Sequence, residues 1–250
     1  DKKERILDLF RNHNELKSIK EYRDIESQFY HACRKGDFEL IKILLNETIE
    51  DDSNSLIFKI DKNNQTASLF KVKKKFEQLI LPRTIEHEST EYLITSISGT
   101  GNEIKTIKFS EDSEVKTVFI DAFSSSKIKE IYFPASLRKL KKGWCCGANN
   151  LRKIVISPTN RQFQFKDDKY LLGKSNENNE EFDILLFVIR DINEFSIPSN
   201  IKIISSYSFS DCKNLTKVEI PTNSNLEIIE THAFSSTNIE TIIIPSKVSK

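Results

Sequence analysis

The sequence predicts an α+β solenoid. A short helical N-terminal region and a β-hairpin cap lead into stacked repeats of about 24 residues that share a parallel β-sheet face. Three observations carry this. A phrase reading apolar-x-x-apolar-x-apolar, closed by proline, occurs at Ile128–Pro134, Leu151–Pro158, Ile192–Pro198, Leu215–Pro221 and Ile239–Pro245, and without proline at Ile104–Ser110. Each phrase is followed by a second apolar pair: Val115/Val118, Leu137/Leu140, Ile201/Ile204 and Leu226/Ile229. An aromatic then comes at Phe123, Phe209 and Phe234, with Cys145 in that place once. A single coil of this kind buries too little to fold alone, so neighbouring coils must share one core.

Residues 1–50 read as helical. Ile6, Leu7, Leu9, Phe10 and Leu16 give the first helix its apolar face. Asp24 or Ser27 caps a second helix carrying Phe29, Ala32 and Cys33, and Gly36-Asp37 breaks it. A third helix turns Leu40, Ile41, Leu44 and Leu45 inward. Residues 51–98 read as a β cap: Leu56–Ile60 and Thr66–Val72 flank the turn residues Asp61-Lys62-Asn63-Asn64, and strands follow at Leu79–Leu81 and Tyr92–Ile97. Such a cap would shield the open end of the first coil. Residues 99–250 form the repeat array. One interval is long, and its extra segment, at about 160–190, reads as an inserted β-hairpin leaving the solenoid and returning. Its strands are Tyr170–Gly173 and Phe182–Val188, with a polar turn between them. The chain lacks Met and stops just past a phrase, which suggests a piece of a longer protein.

Several function classes lose support at this level. Lys and Arg number 38 against 37 Asp and Glu, so no long-range field favours nucleic acid or an anionic membrane. The basic run Lys71–Lys75 reads as a solvated hairpin end. No apolar stretch approaches the ~20 residues that a membrane-spanning helix needs. Cys33, Cys145, Cys146 and Cys212 show no zinc spacing and read as free, largely buried thiols. His13, His31, His87 and His232 stand in no metal or catalytic motif, and Gly99-Thr100-Gly101 lacks the third glycine and helix of a phosphate loop. The expectation is a protein with no enzymatic activity, cofactor or metal. Trp144 is expected partly buried on the returning side of its coil. Sequons stand at Asn46, Asn64 and Asn214.

Two resemblances follow from these residues. The stretch Phe29–Leu45, with its His31-Ala32-like opening, Gly36 turn and Ile41-x-x-Leu44-Leu45 helix, resembles an ankyrin repeat. The repeat phrase, the aromatic position and Phe209-Ser210-Asp211-Cys212-Lys213-Asn214-Leu215, echoed at Ala122–Ile128 and Ala233–Ile239, resemble the BspA-like leucine-rich repeat family over roughly 56–250. That resemblance implies a leucine-rich repeat fold, an inserted hairpin like the one here, and a protein-binding role. It implies cell-surface adhesion or host and cell recognition of the surface-antigen type; an intracellular ankyrin and leucine-rich repeat scaffold is the alternative. The implied partner is a protein: host matrix, a cell-surface protein or a scaffold partner. No nucleic acid and no direct membrane insertion are implied, and oligomeric state is left open. Cell-surface localisation is implied, with the cytoplasm as the alternative.

Within each phrase the residues flanking the middle apolar one point outward, because side chains alternate along a strand. The outward set is Thr106/Lys108, Glu130/Tyr132, Lys153/Val155, Glu194/Ser196, Lys217/Glu219 and Thr241/Ile243. Side by side they would form one ladder. The candidate partner-binding face is Lys108, Glu130, Tyr132, Lys153, Val155, Glu194, Lys217, Glu219 and Ile243, weighed against an ordinary mixed-charge solvated sheet.

Overall fold

The computed structural model describes residues 28–250 apart from 52, 102, 125 and 250. The helix expected before Asp24, and the caps at Asp24 and Ser27, lie outside the described residues. The described chain begins in a helix, α1 (28–35), and turns at Gly36, whose φ of 66° suits glycine. It continues in α2 (Phe38–Leu45), where the Asp37 carboxylate caps the Leu40 N–H at 3.2 Å. Leu40 and Leu44 are buried as expected, whereas Leu45 is exposed.

Strand β1 (Glu47–Glu50) follows directly and lies antiparallel to β2 (Leu56–Asp61), so the helical region ends before residue 47. β2 pairs antiparallel with β3 (Thr66–Val72), forming the expected hairpin. Its turn is held by Asp61, whose carboxylate accepts from the Asn63 and Asn64 backbone N–H groups and from Asn64 Nδ2. β2 is buried on both faces. Leu56, Phe58 and Ile60 enter the main core, while Ile57 joins Phe29, Leu40, Leu44, Phe70, Phe119 and Ile120 beneath the helices. The helix pair thus covers the outer flank of the sheet. His31 reaches across to the solenoid, its Nδ1 3.5 Å from Asp121 Oδ2.

The array itself has two sheets. On one side β4 (Phe76–Leu81), β7 (Ile104–Phe109), β9 (Glu130–Phe133) and β11 (Lys153–Ile156) run parallel, with Gln78 opposite Thr106, Thr106 opposite Glu130, and Glu130 opposite Lys153. The parallel sheet therefore starts at β4, inside the span read as a cap. Phe76-x-x-Leu79-x-Leu81-Pro82 is a further copy of the phrase. On the returning side the sheet continues from β3 through β6 (Thr90–Ile97) to the two-residue strands β8 (Thr117–Val118) and β10 (Lys139–Leu140). β5 (Thr84–His87) pairs with β6 at its side.

The long interval is a three-stranded antiparallel meander: β12 (Phe163–Lys166), β13 (Tyr170–Gly173) and β14 (Ile184–Val188). It does not leave the solenoid. β13 is buried throughout, and β14 pairs in parallel with β16 (Ile203–Ile204), which pairs with β18 (Ile228–Ile229). Its β13 and β14 strands are apolar and buried on both faces, so the insertion is retained as a layer of the returning side. Beyond it the outward sheet restarts as β15 (Glu194–Ser196) and β17 (Lys217–Glu219), followed by one bridge from Lys217 to Thr241.

Phe209 and Phe234 stack at 4.8 Å, and Phe195 meets Phe209 edge-on at 5.2 Å. Phe123 belongs to the other core and is reached by Trp144 at 6.1 Å. Trp144 is only 2% exposed, against the expected partial burial, and also meets Phe133 and Phe187. Its indole packs into the same core as Cys145, which holds the aromatic position of this coil. Two corners of the coil adopt left-handed backbone: Asp121, Gly143, Tyr207 and His232 at one, Gly147, Asp211 and Ser236 at the other, all with φ between 58° and 83°. Gly99, the residue of the glycine pair nearest a neighbouring strand, has a different role: a Cβ there would lie 2.4 Å from the Phe70 carbonyl oxygen. Close strand packing explains that glycine.

Candidate partner-binding face

The strand phrase places its three apolar residues inward, so what remains outward is set by the residues between them. Ile107, Ile131 and Ile154 are buried, while Lys108, Tyr132 and Val155 are half-buried and Lys153 is exposed. Register assembles two cross-strand rows. One is Gln78–Thr106–Glu130–Lys153; the other is Ile80–Lys108–Tyr132–Val155. Ile80 is 57% exposed, an unusual state for a large apolar side chain.

The charges of the rows are ordered around Tyr132. Its hydroxyl donates to Glu130 Oε2 at 3.1 Å, and Lys153 Nζ lies 3.7 Å from the same oxygen. Glu130 and the tyrosine hold the Lys153 ammonium above the usual lysine range. Lys108 Nζ lies 4.6 Å from the ring centre and Lys153 Nζ lies 5.8 Å from it, so the ring carries a cation from each neighbouring strand. At the C-terminal end of these strands is an open groove of about 370 Å³, with Lys108, Glu111, Tyr132, Pro134, Val155 and Pro158 among its walls.

Five of the sequence-predicted residues therefore meet on one surface: Lys108, Glu130, Tyr132, Lys153 and Val155. The other four do not join them. Glu194, Lys217 and Glu219 lie on the separate β15–β17 sheet, where Lys217 Nζ is 2.6 Å from Glu219 Oε1 within its own strand. Ile243 is 83% exposed and lies past the last bridge. The single ladder is thus a correction: the meander separates the strands before it from those after it. Sequence reading missed Gln78 and Ile80, and the signal was present in the Phe76–Pro82 phrase.

A second groove, of about 410 Å³, lies where the α1–α2 turn meets the returning side, with Phe38, Ile120 and Tyr207 among its walls. Two of its three lysines are occupied: Lys141 meets Asp37 at 3.4 Å and Glu39 at 2.9 Å, and Lys142 pairs with Glu230. Nearby, Asp121 lies 3.5 Å from His31 Nδ1 and beside Cys146, and burial and the Asp121 carboxylate push the Cys146 thiol up to about 12. That thiol is protonated at neutral pH and is a poor nucleophile. All four cysteines are free, with Cys145 and Cys212 buried. Among the described residues, no cluster of His, Cys, Asp and Glu has the makings of a metal site, and no helix is long and apolar enough to cross a membrane.

Comparison with solved structures finds several proteins of low sequence identity. A leucine rich cell surface protein from Faecalibacterium prausnitzii A2-165 is 16% identical, with 81% of this chain and 50% of that one covered, at a TM-score of 0.46. The pneumococcal vaccine antigen PcpA is 16% identical, with 81% and 71% covered, at 0.40. A leucine-rich repeat protein from Eubacterium ventriosum is 17% identical, with 76% and 64% covered, at 0.44. TM-scores this low do not establish a shared overall shape, and the chain spans half the length of the first of these proteins. No curated protein matches the sequence. The family model of the BspA type leucine rich repeat region matches in six copies over residues 67–167 and 181–250, starting after the two helices and the β2 strand. The match does not extend to Phe29–Leu45, and the ankyrin resemblance of that stretch finds no support in the comparisons. With the phrase copies paired in register and most of the chain matched, this protein belongs to the BspA-type leucine-rich repeat family.

Proposed function

We propose that the chain is a non-enzymatic protein-binding module whose docking surface is the β4–β7–β9–β11 face centred on Tyr132. The observation that carries this is the outward row Ile80–Lys108–Tyr132–Val155, in which an aromatic and two apolar side chains share a rigid sheet with a cation. Tyrosine with apolar neighbours is the composition of binding centres, and a parallel sheet holds it at little entropic cost. Family membership supports adhesion or recognition at a cell surface, with a matrix or cell-surface protein as partner. The β2–β3 hairpin and the helix pair act in this reading as cover for the first coil. The proposal includes no cofactor, no nucleic acid and no membrane insertion. A second reading, an intracellular scaffold, draws support from the four free thiols, which suit a reducing compartment.

The test uses the whole chain and a Tyr132→Ala/Lys153→Glu variant, each immobilised and exposed separately to solubilised surface proteins and to cytosolic proteins of host cells. Retention of defined surface proteins by the native chain, reduced at least about tenfold by the variant, is expected. Equal retention by both chains removes this face as the docking surface. Retention from cytosol alone transfers support to the scaffold reading.

A further inference from the structure

The charges of the two rows narrow the class of partner, on the premise that this face is the docking surface. Most cations here already have acids. Lys153 lies 3.7 Å from Glu130, and Lys105, at the edge of the rows, lies 2.8 Å from Glu77. Lys108 differs: among the described residues no carboxylate lies within 4 Å of its ammonium, which sits over the Tyr132 ring at 4.6 Å. The Tyr132 hydroxyl donates to Glu130, a bond that favours this placement of the ring. Ile80, exposed, and Val155, half-buried, flank this pair across the strands. The adjoining groove has one acidic wall residue, the exposed Glu111.

An ammonium resting on an aromatic ring keeps its N–H donors available, because the ring attracts the charge without supplying a lone pair. A carboxylate arriving there would form a charge-assisted bond partly shielded by the apolar flanks. An incoming lysine or arginine would meet Lys108 as a like charge. We propose that the face takes an extended segment of a partner protein in which a carboxylate side chain sits between apolar ones, the carboxylate on Lys108 and the apolar groups on Ile80 and Val155. Phosphate or sulfate polymers satisfy the cation but leave Ile80 and Val155 without a partner, which is why a peptide is favoured.

The experiment titrates the isotope-labelled whole chain, by NMR, with short peptides alternating leucine and serine that carry a central glutamate, glutamine or lysine. Heparin serves as a competing probe. The glutamate peptide should move the amides of Ile80, Lys108, Tyr132 and Val155 and bind about three- to fivefold more tightly than the glutamine peptide. Lys108→Gln should erase that preference, and Glu111→Gln should sharpen it. Equal binding of all three peptides at these amides overturns the carboxylate preference while sparing the face. Shifts confined to another surface overturn both. No binding by any peptide, or shifts at this row from heparin alone, overturns the peptide proposal.

Discussion

The strands before the meander and those after it are written with the same phrase, yet they build different surfaces. Before it, four strands lie side by side and bring Lys105, Lys108, Lys153 and Tyr132 together with Glu77 and Glu130. After it, β15 and β17 pair with each other and reach only a single bridge beyond, from Lys217 to Thr241, and Glu194 and Glu219 outnumber Lys217 on that face. The interiors differ as well. Trp144 fills the first with Phe123, Phe133 and Phe187, while Tyr170, Phe195, Phe209 and Phe234 queue through the second. The phrase determines which residues point inward, whereas the length of chain between phrases determines whether neighbouring faces join.

The largest expected effect lies at the seam. Arg190 is buried without a carboxylate among the described residues. Its Nη1 donates to the carbonyls of Ser208, at 2.6 Å, and Val188, and its Nη2 to Tyr207. Its guanidinium lies 4.5 Å from the Phe187 ring centre, with Cys145 Sγ and Cys212 Sγ each within 4 Å of one of its nitrogens. Phe187 and Cys145 belong to the first core and Cys212 to the second, so this one side chain touches both. Arg190→Ala should cost about 3–5 kcal/mol in urea unfolding, from the cavity and the abandoned carbonyls. Arg190→Met, which keeps the stem, should cost about half as much. A loss under about 1 kcal/mol for the alanine variant would show that the cores are joined without it.

A second effect separates the halves by pH. Lys59 lies under the helix pair, its Nζ 3.1 Å from the Asn46 carbonyl and 5.6 Å from the Phe70 ring centre, and burial pushes its pKa down to about 8. The unfolded chain keeps that proton to the ordinary lysine value near 10.5. Between pH 8 and 10.5 the unfolded state therefore binds more protons, so stability rises with pH across that window and is flat for this group below it. The full change is of the order of 3 kcal/mol. Lys59→Met should abolish it. Trp144 fluorescence, which reports the first core, should follow this dependence; if the slope survives in the variant, Lys59 is not its source.

How far the sequence foretold this structure differs by element. Phrase copies with three inward residues were legible because period-two alternation admits one inward set, and Ile107, Ile131 and Ile154 are buried accordingly. Tyr132 and its cations were found by the same rule. The Phe76–Pro82 copy was missed because its neighbours, Thr84–His87 and Thr90–Ile97, form a local hairpin that hides the period. Glu47–Glu50 is a strand only because β2 lies beside it, a contact that no local pattern reports. The break in the outward ladder was illegible for a related reason: an apolar segment such as Ile184–Val188 can project or be absorbed, and pairing with Ile203–Ile204 decides.

The smallest effect tests the coil corners, where the halves again differ. Gly147 takes the left-handed position two residues past Cys145, with φ 70°, while Asp211 and Ser236 take it after Phe209 and Phe234, with φ 62° and 58°. Left-handed backbone costs an L-residue roughly 1–2 kcal/mol, and glycine loses about 0.5–1 kcal/mol of that advantage to chain entropy. Ser236 is exposed, so its hydroxyl gives up little when removed. Ser236→Gly should therefore stabilise by about 0.5 kcal/mol, read as a rise in Tm of about one or two degrees. Gly147→Ala should do the opposite by about 1 kcal/mol, because alanine has no relief from the same φ. A lower Tm for Ser236→Gly would mean that the serine side chain, and not backbone geometry, holds its corner, and that the two halves of the array close their coils by different means.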